Sequence, residues 1–523
     1  MKNKNLIFLL IVLSIAAFFR LWQLDEIPPG LYPDVAINGN EALESLKTGN
    51  FKLFYSENNG REGLFIWLIA LSFLIFGVNV WSIKIVAAVI GILTVFGLYL
   101  LTKDLFEKTI DNKRKATDIA LLSSFFLAIS FWHVNFSRIG FRAILLPFVL
   151  VFFFYFLFKG FKKRGILNFI IAGIFFGLGF YTYTSFRMAV LILPFILIPY
   201  WFIYKKENSQ KKFLFLVSCF LFLVFVIALP IGIYFLKNPQ DFISRAAPIS
   251  VFKASQPLEA LLKSLISHLA MFNFYGDQNL RHNFFGSPMI FWPIGILFLI
   301  GIFLSLKELI YSIKSKNLSL LTCHLFLISW FFIMLLPGIL TYEGIPHSLR
   351  VIGVIPAVFI FAALGTDFLI KKIKINWFLI TLLGVFFFSL VFAEYYRYFI
   401  LWGKNPEVKG AFTKIFADIG YYLNSLPQDF QKYVIVNESG VPVPWPDGIP
   451  MPAQTIMFVE NTKYGFLQSV YLLPKEINKI KIEKRGIILP MADDENTFKE
   501  IREKFPQGEI KKIDNFSAYE INQ

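Results

Sequence analysis

Cysteine and charge are what this sequence has little of. Its 523 residues include only Cys219 and Cys323, both inside apolar runs, which suits buried thiols better than a disulfide or a metal pair. Charged residues make up 16% of the chain against 56% hydrophobic, a balance that excludes an ordinary soluble domain and points to a polytopic membrane protein. Nucleotide and zinc-protease signatures are missing as well. There is no Walker loop, no dinucleotide fingerprint after a strand and no His-Glu-x-x-His, so those chemistries have no support. No internal repeat is visible beyond the phenylalanine-rich runs, which leaves an inverted-repeat transporter equally unsupported.

What is abundant is apolar sequence punctuated by cations. A formal charge of +16 is also found in nucleic-acid binders, but here Lys and Arg cluster in short runs between apolar segments, as cytoplasmic loops of membrane proteins do. We therefore expect a membrane partner and no nucleic acid. The first residues, Met1-Lys2-Asn3-Lys4-Asn5, lead into an apolar run that is long enough to span and lacks a small-residue cleavage site. An uncleaved first helix with a cytoplasmic N-terminus is expected.

Counting runs of about 20 apolar residues gives about eleven spans: 6–24, 82–102, 118–136, 143–158, 166–181, 188–204, 213–236, 288–306, 318–340, 350–370 and 377–399. The basic loops 103–115, 159–164, 205–212, 307–316 and 371–374 then fall on one side, the cytoplasm. The stretch 63–77 is also apolar but too short to cross. Counting it would break the alternation of every later loop, so it is expected as a helix at the outer interface. From about residue 401 composition changes to mixed charge with short apolar runs between Pro and Gly turns. The expected architecture is an all-α polytopic membrane bundle over 1–400, with interfacial helices in the first external loop. A small extracytoplasmic α/β domain over 401–523 completes it.

Ionisable residues avoid the middle of the spans and gather at their external ends, unlike an ion-coupled pump. The first external loop carries Asp34, Glu41 and Glu62; Asp34 and Glu41 are seven apart and share a face if that stretch is helical. Any of them is chemically suited to serve as a general base, and equally to be a solvated loop acid. Arg138, Arg142, Arg187 and Arg350 sit at other external ends, where a guanidinium suits either a phosphate or lipid head groups. The turn 275–283 packs Asp277, Arg281 and His282 together, and 343–350 adds Glu343 and His347 before Arg350. Both are suited to sugar hydroxyls or phosphate, and both read equally as ordinary loop chemistry. The spacing of Asp277 and His282 matches no metal motif.

In this order and on one side, these residues resemble the GT-C superfamily of integral membrane glycosyltransferases. The likeness is to the glycosyltransferase family 39-like branch, with protein O-mannosyltransferases and aminoarabinose transferases, and it covers about the first 400 residues. Asp34 matches that family's first-loop Asp, whereas Val35 departs from the common Asp-Glu pair, so Glu41 or Glu62 would have to supply any second carboxylate. The resemblance implies transfer of a sugar from a polyprenyl-phosphate donor to a lipid, glycan or protein acceptor on the extracytoplasmic face, with inversion. It implies Asp34 as base and arginines holding the phosphate. No cofactor is required by the sequence, and a divalent metal is left open. Two other readings stand beside it: a lipid-linked saccharide flippase or transporter using the same residues without chemistry, and an assembly protein whose external domain binds partners.

Overall fold

The computed structural model describes residues 2–107, 113–372, 376–443 and 448–522. Parts of the basic loops expected at 103–115 and 371–374 lie outside the described residues. Among the described residues nine helices are long and apolar enough to cross a membrane, ten if one bent pair is a single span. The span expected at 166–181 is met by Ile166–Gly179, an apolar helix of only 14 residues. The apolar stretch after the first loop forms Leu64–Phe76, 13 residues long and short for a crossing.

The bent pair replaces the straight helix expected at 118–136. Ala116–Ile129 and Phe131–Ile139 meet at 57°. Ser130 leaves helical geometry at φ −56°, ψ 120°, and every residue of Phe131–Ile139 is buried. Two cationic or titratable residues of that second segment find partners through the bend. His133 Nδ1 lies 2.7 Å from Arg20 Nη2, and Arg138 reaches the main-chain oxygens of Phe19 and Trp22 at the end of the first helix. A polar group at such depth needs a partner, and the bend supplies it.

The chain forms two compact units. The first comprises Met1–Leu24, Glu62–Phe65 and Ala87–Gly403. Within it, most of the apolar stretch of Ile352–Lys371 is buried and little of that of Trp377–Trp402, which distinguishes a central helix from one left to face lipid. Close packing at the centre rests on small residues. A Cβ on Gly301 would lie 1.7 Å from the Phe361 carbonyl oxygen, and one on Gly365 would lie 2.0 Å from that of Leu297. The helices Trp292–Lys314 and Ile355–Lys371 therefore meet backbone to backbone, the arrangement by which apolar helices associate where lipid offers no hydrophobic contrast.

The second unit comprises Asp25–Arg61, Ile66–Val86 and Lys404–Gln523, so most of the first external loop folds with the C-terminal segment. Its sheet runs in the order Ser469–Leu472, Gln431–Ile435, Arg485–Pro490, Phe516–Asn522, Glu509–Ile513. The first three strands are parallel and the last two join antiparallel. Alternation sends Val434, Ile487 and Leu489 to one face, against Lys414–Ser425 and Gln454–Tyr464. Ile435 and Ile488 go to the other, against Glu495–Lys504. The helix Pro33–Thr48 docks on Gln454–Tyr464. Asn40 Nδ2 donates to the Gln454 side chain at 2.8 Å, and Asn461 Nδ2 donates back to Asn40 Oδ1 at 3.2 Å. Gly39 makes the approach possible, since a Cβ there would stand 2.6 Å from Phe458 and from Ile83.

Replacing Gly365 by valine should therefore separate the two central helices, at a cost of about 1–3 kcal/mol. Buried Cys323 supplies the readout: its reaction with a thiol dye on heating should begin several degrees earlier than in the wild type. An unchanged onset would mean that the helices do not meet at Gly365.

Candidate active site

Asp34 opens the helix Pro33–Thr48. Pro33 at the first position has no N–H to lose, and an acid in the first turn faces the positive end of the helix dipole. The run Asn58-Asn59-Gly60 takes positive φ at all three residues, and this turn delivers Asn58 Nδ2 to Asp34 Oδ1 at 2.6 Å. Asp34 stays partly exposed, while Val35 beside it is fully buried and belongs to the core.

Glu41, two turns on, is in a different situation. Its Oε1 accepts from Arg61 Nη2 at 2.6 Å, Arg61 Nη1 donates to Asn38 Oδ1 at 2.8 Å, and all three residues are buried. Glu41 also lies within hydrogen-bond and electrostatic reach of the Glu57 carboxyl, which adds to the effect of burial. Burial raises the carboxyl to about 7, with Arg61 pulling the other way. Glu41 lines a small recess with Asn40, Lys52, Glu57 and Gln454.

In the first unit Glu62 is also consumed. Its Oε2 accepts from Arg142 Nε at 2.9 Å and its Oε1 from Thr184 Oγ1 at 3.1 Å. Burial works to raise Glu62, but the charge and hydrogen bond of Arg142, with help from Arg187, hold it below the usual range. Around this pair lies a cationic neighbourhood. Arg142 stacks 5.3 Å above Tyr183 and lies within electrostatic reach of Arg245. Arg187 lies 4.0 Å from the centre of the Phe242 ring and donates to the Phe242 carbonyl. Arg350 donates to Thr341 Oγ1 at 2.8 Å and to the Glu343 carbonyl at 2.6 Å, within reach of Tyr183, Arg245 and Asp277. Arg245 was not singled out from the sequence, where nothing local marks it among the charges of its long loop.

Asp277, His282 and His347 come together. His282 Nδ1 lies 3.0 Å from Asp277 Oδ2, which also accepts from Ser348 N and Oγ at 2.8 Å each. Burial opposes the Asp277 charge, yet the His282 bond and its other donors outweigh it and hold the carboxyl well below the usual range. Gly276 allows the turn, since a Cβ there would strike the Ser287 carbonyl at 2.2 Å. Arg281 contributes through its main chain, whose oxygen accepts from Asn135 Nδ2 at 2.7 Å. The Glu343 side chain is exposed.

Arg138 stands apart from the other arginines. It is fully buried and donates to the carbonyls of Phe19, Trp22 and Gln23 at 2.7–2.9 Å, closing the C-terminal end of the helix Lys2–Leu21. A guanidinium committed to three carbonyls and flanked by Tyr398 and Phe399 serves the fold, in contrast to the phosphate contact the sequence suggested.

The bundle of apolar spans with charges gathered in its loops, and a small sheet domain after it, has the GT-C glycosyltransferase fold seen in ArnT. Residues 64–234 match the family model described as dolichyl-phosphate-mannose-protein mannosyltransferase. The chain is 28% identical over 221 residues to the Bacillus subtilis (strain 168) protein named "Putative mannosyltransferase YkcB", a match covering 42% of this chain and 29% of that protein. The structure superposes on ArnT from Cupriavidus metallidurans, solved with undecaprenyl phosphate and in the apo state. In both cases the TM-score is 0.55 at 12% identity, over 99% of this chain and 98% of ArnT. The oligosaccharyltransferase of Archaeoglobus fulgidus matches at TM-score 0.50 and 13% identity, over 92% of this chain and 68% of that one. All of these are GT-C glycosyltransferases, as the resemblance of the sequence implied, and at such identities the solved structures share the fold.

Two measurements check the charge pairs. Removing Arg142 by alanine leaves Glu62 buried and unpaired, so the first unit should lose about 3–5 kcal/mol, seen as early Cys323 labelling on heating. Glu41, by contrast, binds protons more tightly folded than unfolded, so its contribution to stability falls as pH rises from the ordinary carboxylate value through about 7. Glu41→Gln should flatten the dependence of the thermal midpoint on pH between about 5 and 8. Equal slopes for the two proteins would show that Glu41 is charged throughout.

Proposed function

We propose that this chain is a membrane glycosyltransferase that moves a sugar from a polyprenyl-phosphate-linked donor to an acceptor hydroxyl on the extracytoplasmic face. One observation carries the choice of base: of the three acids of the first loop, Glu41 and Glu62 are held by buried arginines, whereas Asp34 is partly exposed and held by a neutral amide. Arg142 holds the Glu62 carboxyl below the usual range and Glu41 is enclosed among buried groups, whereas a partly exposed carboxylate oriented by an amide is open to an acceptor hydroxyl.

In the proposed reaction the acceptor oxygen attacks the anomeric carbon on the face opposite the phosphate. Asp34 takes the hydroxyl proton, the bond between the anomeric carbon and the phosphate oxygen breaks, and its electron pair leaves on the phosphate with inversion. Within the first unit, Arg187, Arg245 and Arg350 form the cationic neighbourhood suited to a phosphate, since Arg138 is spent on carbonyls and Arg142 on Glu62. The fold shared with ArnT, solved with undecaprenyl phosphate, supports a lipid donor, and a lipid donor needs no nucleotide site. The proposed topology keeps the N-terminus in the cytoplasm and the C-terminal domain outside, following the basic loops.

Membranes containing the wild type, given radiolabelled polyprenyl-phosphate sugars, should convert label to an acceptor-linked product and release polyprenyl phosphate. Asp34→Asn keeps the shape of the side chain and should lower the rate by about 10²-fold or more. Equal rates would remove Asp34 from the mechanism, and label that crosses the bilayer without forming product would favour the flippase.

A further inference from the structure

The first unit holds a second chemistry-bearing cluster, independent of the transfer reading. Asp277, His282 and His347 each offer one donor atom, and the three atoms lie within 4.8 Å of one another. Asp277 and His282 are buried and His347 is half-buried. The residues come from two separate stretches, the turn that follows Pro257–Ala270 and the loop that precedes Ile352–Val354.

The surroundings fix each of these groups. Asn279 N donates to Asp277 Oδ1 at 2.9 Å, and Ser348 gives two hydrogen bonds to Oδ2, so the carboxylate is anchored from both stretches. His282 packs against Phe136 and Phe141, with ring centres 5.5 and 6.3 Å away. Its main-chain N donates to the Asn279 carbonyl at 2.8 Å. The main-chain N of His347 donates to His268 Nε2 at 3.2 Å. The Nδ1 of His268 is set in turn by the Ser264 carbonyl at 2.8 Å. The two imidazoles of His282 and His347 face each other with centres 5.0 Å apart. One atom in this otherwise satisfied network is left over: His347 Nδ1 is buried and has no hydrogen-bond partner.

A buried imidazole nitrogen without a partner, beside a second imidazole and an anchored carboxylate, is a donor set short of its acceptor. We infer that Asp277, His282 and His347 bind one divalent cation of the zinc class. Two imidazoles and one carboxylate suit zinc rather than magnesium or calcium, which prefer oxygen ligands throughout. Tetrahedral zinc with bonds of about 2.0–2.2 Å needs donor atoms about 3.4 Å apart, so the cluster has to contract by about 1 Å. A rotation of half-buried His347 supplies that movement, whereas Asp277 and His282 already stand at 3.0 Å. The serine and backbone donors around Asp277 are the outer shell that a metal-bound carboxylate requires. Three protein ligands leave a fourth position open, and the ion ties the 277–282 turn to the loop that carries Arg350.

The test uses the full chain in detergent, purified through a tag without histidines, stripped with a chelator and titrated with Co²⁺. The wild type should bind one equivalent with the strong visible bands of a tetrahedral site, and Zn²⁺ should abolish them. His282→Ala and His347→Ala should weaken binding at least tenfold. His347→Cys should restore it and add a thiolate-to-cobalt charge-transfer band, which a folding defect cannot create. Weak octahedral bands in the wild type, alanine variants that bind as the wild type does, or a His347→Cys protein without the new band would each overturn the site.

Discussion

A buried charge must have a partner, and in this molecule that single constraint sorts the functional candidates. Taking a carboxylate or guanidinium out of water costs several kcal/mol even after relaxation, so such a group needs a partner. Glu41 is held by Arg61, Glu62 by Arg142, and Arg138 by three carbonyls. The pairing takes Glu62 and Arg138 off the list of available bases and phosphate ligands, and Glu41 is enclosed away from solvent. Asp34 is partly exposed and held by an amide, which is why it is the acid proposed for proton transfer.

The same constraint explains which parts of the molecule could be read in the sequence. Spans follow from length and apolarity alone, and the helices at Gln210–Lys237 and Leu318–Ile339 fall where the hydropathy places them. The bend at Ser130 was not legible, because it is driven by what His133 and Arg138 meet in three dimensions: Arg20 and the end of the first helix. Local apolarity gives no hint of a partner more than a hundred residues away. The site was legible in kind and not in pairing. Asp34, Glu41 and Glu62 read alike as acids of one loop, yet Arg61 binds Glu41 and Arg142 binds Glu62. Likewise the spacing of Asp277 and His282 matches no metal motif, since His347 arrives from a different loop.

The polar loops of the first unit show how a bundle of apolar helices builds polar chemistry at its edge. Backbone groups in these loops leave the helical ladder and must be satisfied one by one. Side chains do much of this work: Asn283 holds the carbonyls of Asp277 and Ser287, Arg350 holds that of Glu343, and Ser185 holds that of Arg350. Loops cross-linked in this way can hold arginines at fixed positions without the chain entropy a free loop would retain. Preorganisation of that kind is what a site for a departing phosphate needs, because cations that must first gather contribute little to the transition state.

The second unit applies the same logic to Asp34. A helix of 16 residues in an isolated loop would be marginal in water, and its N-terminal acid would point wherever fraying allowed. Here the helix is pinned along its length by Asn40 on Gln454, by Gly39 against Phe458 and Ile83, and at its approach by the Leu31 carbonyl on Thr455 Oγ1 at 2.9 Å. The sheet domain that supplies Gln454 and Thr455 therefore determines where the carboxylate of Asp34 stands. A C-terminal domain that fixes the helix carrying the proposed base acts on that base directly, through packing and hydrogen bonds, whatever else it binds. Changes at Asn40 or Gln454, far along the chain from Asp34, belong to the same structural unit as the acid they position.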